Sequence, residues 1–221
     1  MQTEATDLTV AVQDYLKAIY ALEASGARVT TSALARRMGV RAPSATAMTK
    51  RLAELGLVER APYKGVALTR NGKRGALEVL RHHRLLERYL ADRLGLSLDE
   101  VHAEADRLEH ALSEELEAKI DADLGYPTHD PHGDPIPDRE LRLEPGRDHT
   151  LAELVIGTSS RVSRVPDGDP ELLRYLSELG LTPGSEVEVV TVAPFGGPVT
   201  IRTAQGEHAI SRELARAIGA A

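Results

Sequence analysis

The sequence predicts an α+β protein in which two mainly helical regions precede a strand-rich C-terminal region. Apolar residues recur at helical spacing up to about residue 125, prolines and aspartates crowd the next segment, and β-branched residues alternate with polar ones after residue 150. A chain of 221 residues can form two or three small domains, each with its own apolar core. We therefore expect four parts, which span 1–75, 76–125, 126–149 and 150–221.

The first region has the element order of a winged helix-turn-helix. An amphipathic helix is predicted over 9–24, and Thr31 is the expected N-cap of a short helix over 32–38. Pro43 lies in the first turn of a third helix, which ends at a glycine. Two short apolar runs around residues 62–65 then indicate a hairpin. Helix, helix, turn, helix and hairpin together are typical of a DNA-reading module.

The distribution of charge supports this assignment, although the net charge of −7 is unusual for a protein that binds nucleic acid. Residues 1–75 carry 12 Lys and Arg against 6 Asp and Glu, whereas 76–125 carry 6 against 13 and 126–221 carry 9 against 15. Only the first region has the positive field that a phosphate backbone attracts. The candidate DNA-binding residues lie at the start of the third helix and at the hairpin tip: Arg41, Ser44, Thr46, Lys50, Tyr63 and Lys64.

The second region is predicted to form two long amphipathic helices. Segment 70–94 carries leucine at six positions from 77 onwards and is followed by Gly95, whereas segment 98–120 carries one apolar stripe along a single helix. Together the two helices offer more apolar surface than they can bury against each other. We therefore expect a helical dimerisation domain and a homodimer.

Histidines and carboxylates accompany the apolar stripes of these two helices. One set lies a single turn apart on the first helix, and a second set follows on the next: His83 and Glu87, then His102, Asp106, Glu109 and His110. At about 100° per residue, the second set falls within about a quarter of a helix circumference. Such a surface is costly to pack against apolar neighbours unless a divalent cation neutralises it. Beside a DNA-reading module, the pattern indicates a repressor that senses a metal ion.

The composition excludes several kinds of site and of protein. Cysteine is absent, which excludes disulfides, thiolate zinc sites and cysteine nucleophiles, and fits a reducing cytoplasm. No apolar run approaches about 18 residues, and the N-terminus lacks the form of a signal peptide. We therefore expect a cytoplasmic protein with no membrane partner.

Residues 126–149 contain five prolines and are predicted to be a linker or an extended loop. Aspartates flank His129 and His132 in this segment, as in some metal sites, but histidines in such loops are more often exposed, and we expect exposure here. After it, four strand-like runs are interrupted by one helix over 170–179, for which Asp169 is the candidate N-cap. A small barrel of about 70 residues is the natural closure of these strands.

Several runs of the chain resemble one known family. The runs QDYLKAIYALE, RHHRLLERYL, VHAEADRLEHALS, DPHGDPIP and PGSEVEVV are similar to the metal-dependent regulators of the diphtheria toxin repressor and manganese transport regulator family. The resemblance covers essentially the whole chain in the right order, including the C-terminal SH3-like domain of many members. It implies a non-enzymatic repressor of metal-homeostasis genes that binds double-stranded operator DNA as a homodimer and takes no small-molecule substrate.

The resemblance also implies two metal sites per subunit. The primary site would comprise Asp14, Asp106, Glu109 and His110. The ancillary site would comprise His83, Glu87 and His102, completed by Asp169 from the SH3-like domain. Iron-responsive members have methionine where this chain has Asp14, and cysteine where it has Asp106. Because oxygen ligands suit Mn(II) better than sulfur ligands do, the resemblance is to the manganese-responsive branch, with Fe(II) as the alternative.

Three other functions are weighed against this one. An Fe(II)-dependent repressor would use the same scaffold and the same ligands. A metal-dependent hydrolase would also need clustered carboxylates and histidines, but no spare nucleophile or general base is evident, and the basic first region would be unexplained. A metal-independent DNA-binding protein would carry the acidic stripe only as a solvated helix face.

Overall fold

The computed structural model describes residues 8–26, 28–61, 65–143 and 149–221. The chain divides into two compact units. The first comprises Met1–His82 with Pro137–Arg142, and the second comprises His83–Ile136 with Leu143–Ala221. Within the described ranges, no helix is both long and apolar enough to cross a membrane.

The first unit contains the predicted winged helix-turn-helix. Its elements are α1 (Val10–Ala24), α2 (Thr31–Arg37), α3 (Ala42–Glu54), the antiparallel strands β1 (Val58–Ala61) and β2 (Gly65–Leu68), and the start of α4 (Arg70–Leu94). Its core is made by side chains that the helices and the hairpin bury together, among them Leu16, Ile19, Leu34, Leu52 and Val66. This confirms the element order that the sequence predicts.

The N-cap of α2 is Thr30, so the prediction of Thr31 was wrong by one residue. The Thr30 side chain accepts a hydrogen bond of 3.1 Å from the backbone N–H of Ala33. Its backbone is extended, with φ −100° and ψ 156°, as an N-cap requires. Thr30 and Thr31 both carry a hydroxyl that could cap the helix. Thr30 is the cap because its backbone is extended, whereas Thr31 is already the first residue of α2.

The second unit contains the rest of α4, α5 (Leu98–Leu108) and α6 (Glu114–Asp123). The prediction of one helix over 98–120 is wrong, because α5 ends at Leu108, a 3₁₀ turn spans Glu109–Ala111, and α6 begins a new helix. The Ser113 hydroxyl accepts a hydrogen bond of 3.3 Å from the N–H of Leu116, and three glutamates lie in the first turn of α6. A cap followed by acidic residues stabilises a new helix start.

The predicted loop after α6 folds back on itself instead of extending into solvent. One carboxylate oxygen of Asp130 accepts hydrogen bonds of 2.9 Å from the backbone N–H groups of both His132 and Asp134. His132 is 0% exposed, so the expectation that it is exposed was wrong, whereas His129 is exposed as expected. The turn buries His132 because Asp130 satisfies the backbone groups that would otherwise need water.

The C-terminal part of the second unit is a strand-rich domain. Its elements are β3 (His149–Thr150), β4 (Ser159–Arg164), α7 (Pro170–Glu178), β5 (Glu186–Val192), β6 (Val199–Thr203), β7 (Gly206–Ile210), α8 (Arg212–Ala217) and β8 (Gly219–Ala220). The strands form one antiparallel sheet in the order β3-β8-β4-β5-β6-β7, and apolar residues of the sheet and of α7 form its core. The strands and α7 agree with the sequence prediction, whereas α8, which lies between β7 and β8, was not predicted. The strand pairs leave the sheet open, so closure into a barrel stays a prediction.

Candidate metal centre

Three of the predicted ancillary ligands converge between α4 and α5. The Oε1 atom of Glu87 lies 2.9 Å from His83 Nε2 and 3.0 Å from His102 Nδ1. The same two histidine nitrogens are 3.1 Å apart. His83 and Glu87 are buried, whereas the side chain of His102 is 30% exposed. The i, i+4 spacing on α4 therefore places an imidazole and a carboxylate side by side, as the sequence predicts.

The other ring nitrogen of His83 faces the second set of donors. His83 Nδ1 lies 2.6 Å from Glu109 Oε2 and 3.3 Å from Asp106 Oδ1. Glu109 is 1% exposed, and its other oxygen lies 3.3 Å from His110 Nε2. The 3₁₀ turn after α5 thus brings Asp106, Glu109 and His110 to one place, although only Asp106 lies on the helix where all three were expected.

Asp14 and Asp169 are the two predicted ligands from other parts of the chain. Asp14 lies half-buried on α1 of the first unit, and its role at the primary site stays a prediction. Asp169 is exposed at the N-terminus of α7, where its Oδ1 accepts hydrogen bonds from the N–H groups of Glu171 at 2.9 Å and Leu172 at 3.5 Å. The predicted N-cap is therefore confirmed, and the ligand role of Asp169 stays a prediction.

The electrostatics of the site keep Glu87 ionised. Burial by itself would raise the pKa of this carboxyl, but the neighbouring His102, His132 and His83 hold the pKa well below its ordinary value. A buried carboxylate anion among imidazole rings is a common environment for a divalent cation.

The donor set fits a divalent metal of intermediate or hard character. All its atoms are carboxylate oxygens and imidazole nitrogens, and the chain has no cysteine. Glu87 Oε2 is buried and has no hydrogen-bond partner among the described residues, so one lone pair of the carboxylate is left to a further ligand. Oxygen and imidazole donors suit Mn(II) and Fe(II), whereas the thiolates that favour Zn(II) and Cu(I) are missing.

Sequence reasoning missed two residues beside this centre, Asp130 and His132. His132 Nδ1 lies 3.7 Å from Glu87 Oε2, and its Nε2 lies 3.0 Å from the backbone oxygen of Leu98. The signal that could have found them is the segment D-P-H-G-D-P, in which an aspartate two residues before a histidine favours a tight turn. The burial of the turn depends on contacts with α4 and α5, which the segment by itself does not reveal.

The predicted DNA-reading residues at the N-cap of α3 and along this helix are exposed. Arg41, Ser44, Thr46 and Lys50 are exposed, whereas Ala45, Thr49 and Leu52 point into the core. The Thr46 hydroxyl donates a hydrogen bond of 2.9 Å to the backbone oxygen of Ala42, which leaves its lone pairs to accept from an amino group on a base edge. Tyr63 and Lys64, the candidates at the hairpin tip, lie outside the described residues.

Three family models match successive parts of the chain. The N-terminal DNA-binding domain of iron-dependent repressors matches residues 7–66, and their metal-binding and dimerisation domain matches residues 69–138. The FeoA domain matches residues 149–220. The order of the three matches agrees with the order of domains that the sequence predicts.

Curated relatives and solved structures match over nearly the full length. The iron-dependent repressor IdeR of Mycobacterium tuberculosis is 34% identical over 96% of this chain and 97% of its own. The diphtheria toxin repressor of Corynebacterium efficiens is 33% identical over 83% of this chain and 84% of its own. A manganese-dependent transcriptional repressor, solved in complex with manganese, is 40% identical, with a TM-score of 0.85 over 95% of this chain and 98% of its own.

These relatives are transcriptional repressors and not enzymes. A relative 34% identical over 96% of the chain establishes common ancestry, and the family models account for every domain. The donor set on α4, α5 and the 3₁₀ turn lies within the part matched by the metal-binding and dimerisation domain. The chain therefore belongs to the family of iron-dependent repressors, the metal-dependent transcriptional repressors that include the diphtheria toxin repressor.

Proposed function

We propose that this protein is a Mn(II)-dependent repressor of metal-homeostasis genes, which acts in the cytoplasm as a homodimer on operator DNA. The observation that carries the proposal is the carboxylate of Asp106, which lies 3.3 Å from His83 in a donor set without sulfur. Oxygen donors lessen the advantage of softer and later metals over Mn(II). Support also comes from the similar repressor that was solved in complex with manganese.

The ligands of the two proposed sites are those that the family resemblance implies. Asp14, Asp106, Glu109 and His110 would hold the primary ion. His83, Glu87, His102 and Asp169 would hold the ancillary ion. When bound, each cation supplies the positive charge that offsets the mutual repulsion of these carboxylates.

Control of DNA binding would come from linking α1 to the donors of the second unit through Asp14. Without a cation, repulsion between Asp14 and the other carboxylates would oppose that link. Holding Asp14 in place would set the spacing of the two α3 helices in the dimer, and a fixed spacing favours successive major-groove faces. Metal and operator must then strengthen each other's binding by the same factor.

The first test compares Asp106→Asn with Glu104→Gln. Both changes neutralise a carboxylate on α5, but Glu104 pairs with Arg107 on the helix surface and lies outside the donor set. We expect Asp106→Asn to lose Mn(II)-activated binding to operator DNA, measured by fluorescence anisotropy, and Glu104→Gln to retain it. If Asp106→Asn were activated at the same Mn(II) concentration as the wild type, the proposed site would be wrong.

The second test addresses the metal, because the IdeR relatives are named as iron-dependent and favour Fe(II) as the alternative. DNA binding is titrated anaerobically with Mn(II), Fe(II), Co(II) and Zn(II). The double variant Asp14→Met, Asp106→Cys restores the sulfur ligands of the iron-responsive members, so its preference should move toward Fe(II). An unchanged preference would contradict the argument from ligand softness.

A further inference from the structure

Three buried polar atoms without hydrogen-bond partners among the described residues lie together in the second unit. They are Oε2 of Glu87, Oδ2 of Asp130 and Nδ1 of His132. The three residues are 0–2% exposed, and each offers a donor atom that lies within 4.8 Å of the others. Buried polar atoms without partners are rare, and a group of three points to a ligand that satisfies them all.

The two ring nitrogens of His132 face different groups. A backbone oxygen accepts only, so the contact of 3.0 Å between His132 Nε2 and Leu98 O places a hydrogen on Nε2. The other ring nitrogen, Nδ1, lies 3.7 Å from Glu87 Oε2, which is beyond hydrogen-bond distance, so neither atom satisfies the other. A divalent cation between the two atoms could be coordinated by both, because neutral imidazole and carboxylate are ordinary ligands of such ions.

The carboxylates of Glu87, Asp130 and Asp134 outnumber the guanidiniums of Arg84 and Arg164 that lie beside them. One Asp130 oxygen is occupied by backbone N–H groups, and the other lies 3.6 Å from Nε of Arg84. The Arg84 guanidinium donates a hydrogen bond of 2.6 Å to Pro135 O and lies 3.5 Å from a carboxylate oxygen of Asp134. Asp134 also lies 3.6 Å from Nη1 of Arg164, so two guanidiniums face Asp130 and Asp134, whereas the groups beside Glu87 are histidines.

We propose that Glu87, Asp130 and His132 hold an additional divalent cation, beyond the two sites described above. Glu87 would bridge two ions, with Oε1 toward His83 and His102 and Oε2 toward His132. A shared carboxylate is a usual feature of paired metal sites, where the ions lie about 3.5–4 Å apart. The inference rests on the proposed function only for the ion at His83 and His102, because the additional cation would be held by residues of the second unit alone.

The test counts Mn(II) ions bound to the full chain by equilibrium dialysis with elemental analysis. His132→Gln removes the imidazole lone pair, and His129→Gln is the matched control, because His129 is exposed on the same turn. We expect His132→Gln to bind one Mn(II) fewer per chain than the wild type, and His129→Gln to bind as many. A proton on His132 Nδ1 would satisfy the same atoms, and in that case His132→Gln would bind as many ions as the wild type, which would overturn the proposal.

A second measurement needs no variant, in case His132→Gln does not fold. Crystals of the wild type are soaked in Mn(II), and anomalous difference maps are calculated at the manganese edge. A peak within coordination distance of both Glu87 Oε2 and His132 Nδ1 supports the proposal, whereas a peak at His83 and His102 without one at His132 overturns it. Failure of the proposed function gives a different result, namely no peak at Asp106, Glu109 and His110 and no Mn(II)-activated binding to DNA.

Discussion

His83 contacts both sets of donors through its two ring nitrogens. Nε2 lies 2.9 Å from Glu87 and Nδ1 lies 2.6 Å from Glu109, and both carboxylates are buried. A neutral imidazole has one N–H and one lone pair, so it can donate a hydrogen bond to only one of these carboxylates at a time. His83 therefore contacts both proposed donor sets, although the family resemblance implies a role for it in the ancillary site alone.

Gly133 determines the path of the turn that carries Asp130 and His132. Its φ is +92°, and a Cβ atom at this position would lie 1.9 Å from the backbone oxygen of Ser163 and 2.9 Å from Cα of Arg164. These neighbours are backbone atoms of β4 and its surroundings, which cannot rotate away as a side chain can. Only glycine satisfies both the backbone angle and the close approach.

We predict that Gly133→Ala lowers the free energy of unfolding of the metal-free protein by about 2–4 kcal/mol, as the sum of backbone strain and overpacking. Urea unfolding followed by circular dichroism measures it. The control is Gly157→Ala, where φ is +82° but a Cβ would meet nothing within 4 Å. The control should lose about 1–2 kcal/mol from backbone strain alone. Equal losses in the two variants would show that the contact with Ser163 does not matter.

At the scale of single residues, the sequence predicts donors that depend on local spacing and misses those that depend on the tertiary fold. His83 and Glu87 are four residues apart on one helix, and helix geometry alone places them together. His132 is 34 residues from Leu98, and its burial depends on the carbonyl that the end of the α4–α5 connection presents to it. No local pattern contains that information, because a histidine in a proline-rich loop is usually solvated.

At the scale of elements, the break between α5 and α6 shows where a periodic pattern misleads. The apolar stripe continues through residues 98–120, so the spacing alone predicts one helix. Ser113 nevertheless competes as an N-cap, because its hydroxyl satisfies a backbone N–H that an uninterrupted helix would pair with a carbonyl. The break places Glu109 and His110 in a 3₁₀ turn, where Glu109 contacts His83. A prediction that included the capping signal of Ser113 would have located both the end of α5 and these donors more accurately.

The N-terminus of α7 allows the two roles of Asp169 to be separated. Asparagine caps a helix about as well as aspartate does, but it is neutral and a weaker metal ligand, whereas alanine does neither. We expect Asp169→Asn to keep the unfolding free energy of the metal-free protein and to weaken the affinity for Mn(II) about tenfold. Asp169→Ala should weaken the affinity similarly and also lose about 1 kcal/mol of stability.

Unfolding in urea without metal and isothermal titration with Mn(II) measure the two effects of the Asp169 variants. If Asp169→Asn bound Mn(II) with the affinity of the wild type, Asp169 would be a helix cap only. Because the metal-free stability of Asp169→Asn is measured on the same protein, a loss of affinity cannot be attributed to a damaged helix.

At the scale of the whole molecule, the order of domains was the most predictable feature. Helical periodicity, a proline-rich segment and alternating β-branched residues follow one another along the chain, and each reflects a local preference that the fold preserves. The closure of the sheet was less predictable, because strand pairing joins residues that are far apart in the sequence, such as Val162 and Ala220. The pairing of β8 with β4 depends on the final strand, which is only two residues long.

Charge is distributed unevenly along the chain, and this distribution determines which part of the protein should bind DNA. The first 75 residues carry 12 basic against 6 acidic side chains, whereas the remainder is acidic throughout. A phosphate backbone is attracted to the first part and repelled by the rest. The exposed side of α3, which presents Arg41 and Lys50, is therefore the surface on which binding to DNA should depend.

We predict that Lys50→Gln weakens Mn(II)-activated binding to operator DNA about tenfold, and lowers the slope of log K against log salt concentration by about 0.9 for each subunit that loses a phosphate contact. Lys119→Gln is the matched control, because Lys119 is an exposed helical lysine in the acidic part of the chain, where it pairs with Glu115. Anisotropy titrations at 50–200 mM salt (about the range over which such slopes are measured) should leave the control unchanged. If both variants lowered the slope equally, the net charge of the molecule would govern binding, and the assignment of α3 as the DNA-contacting element would lose its electrostatic basis.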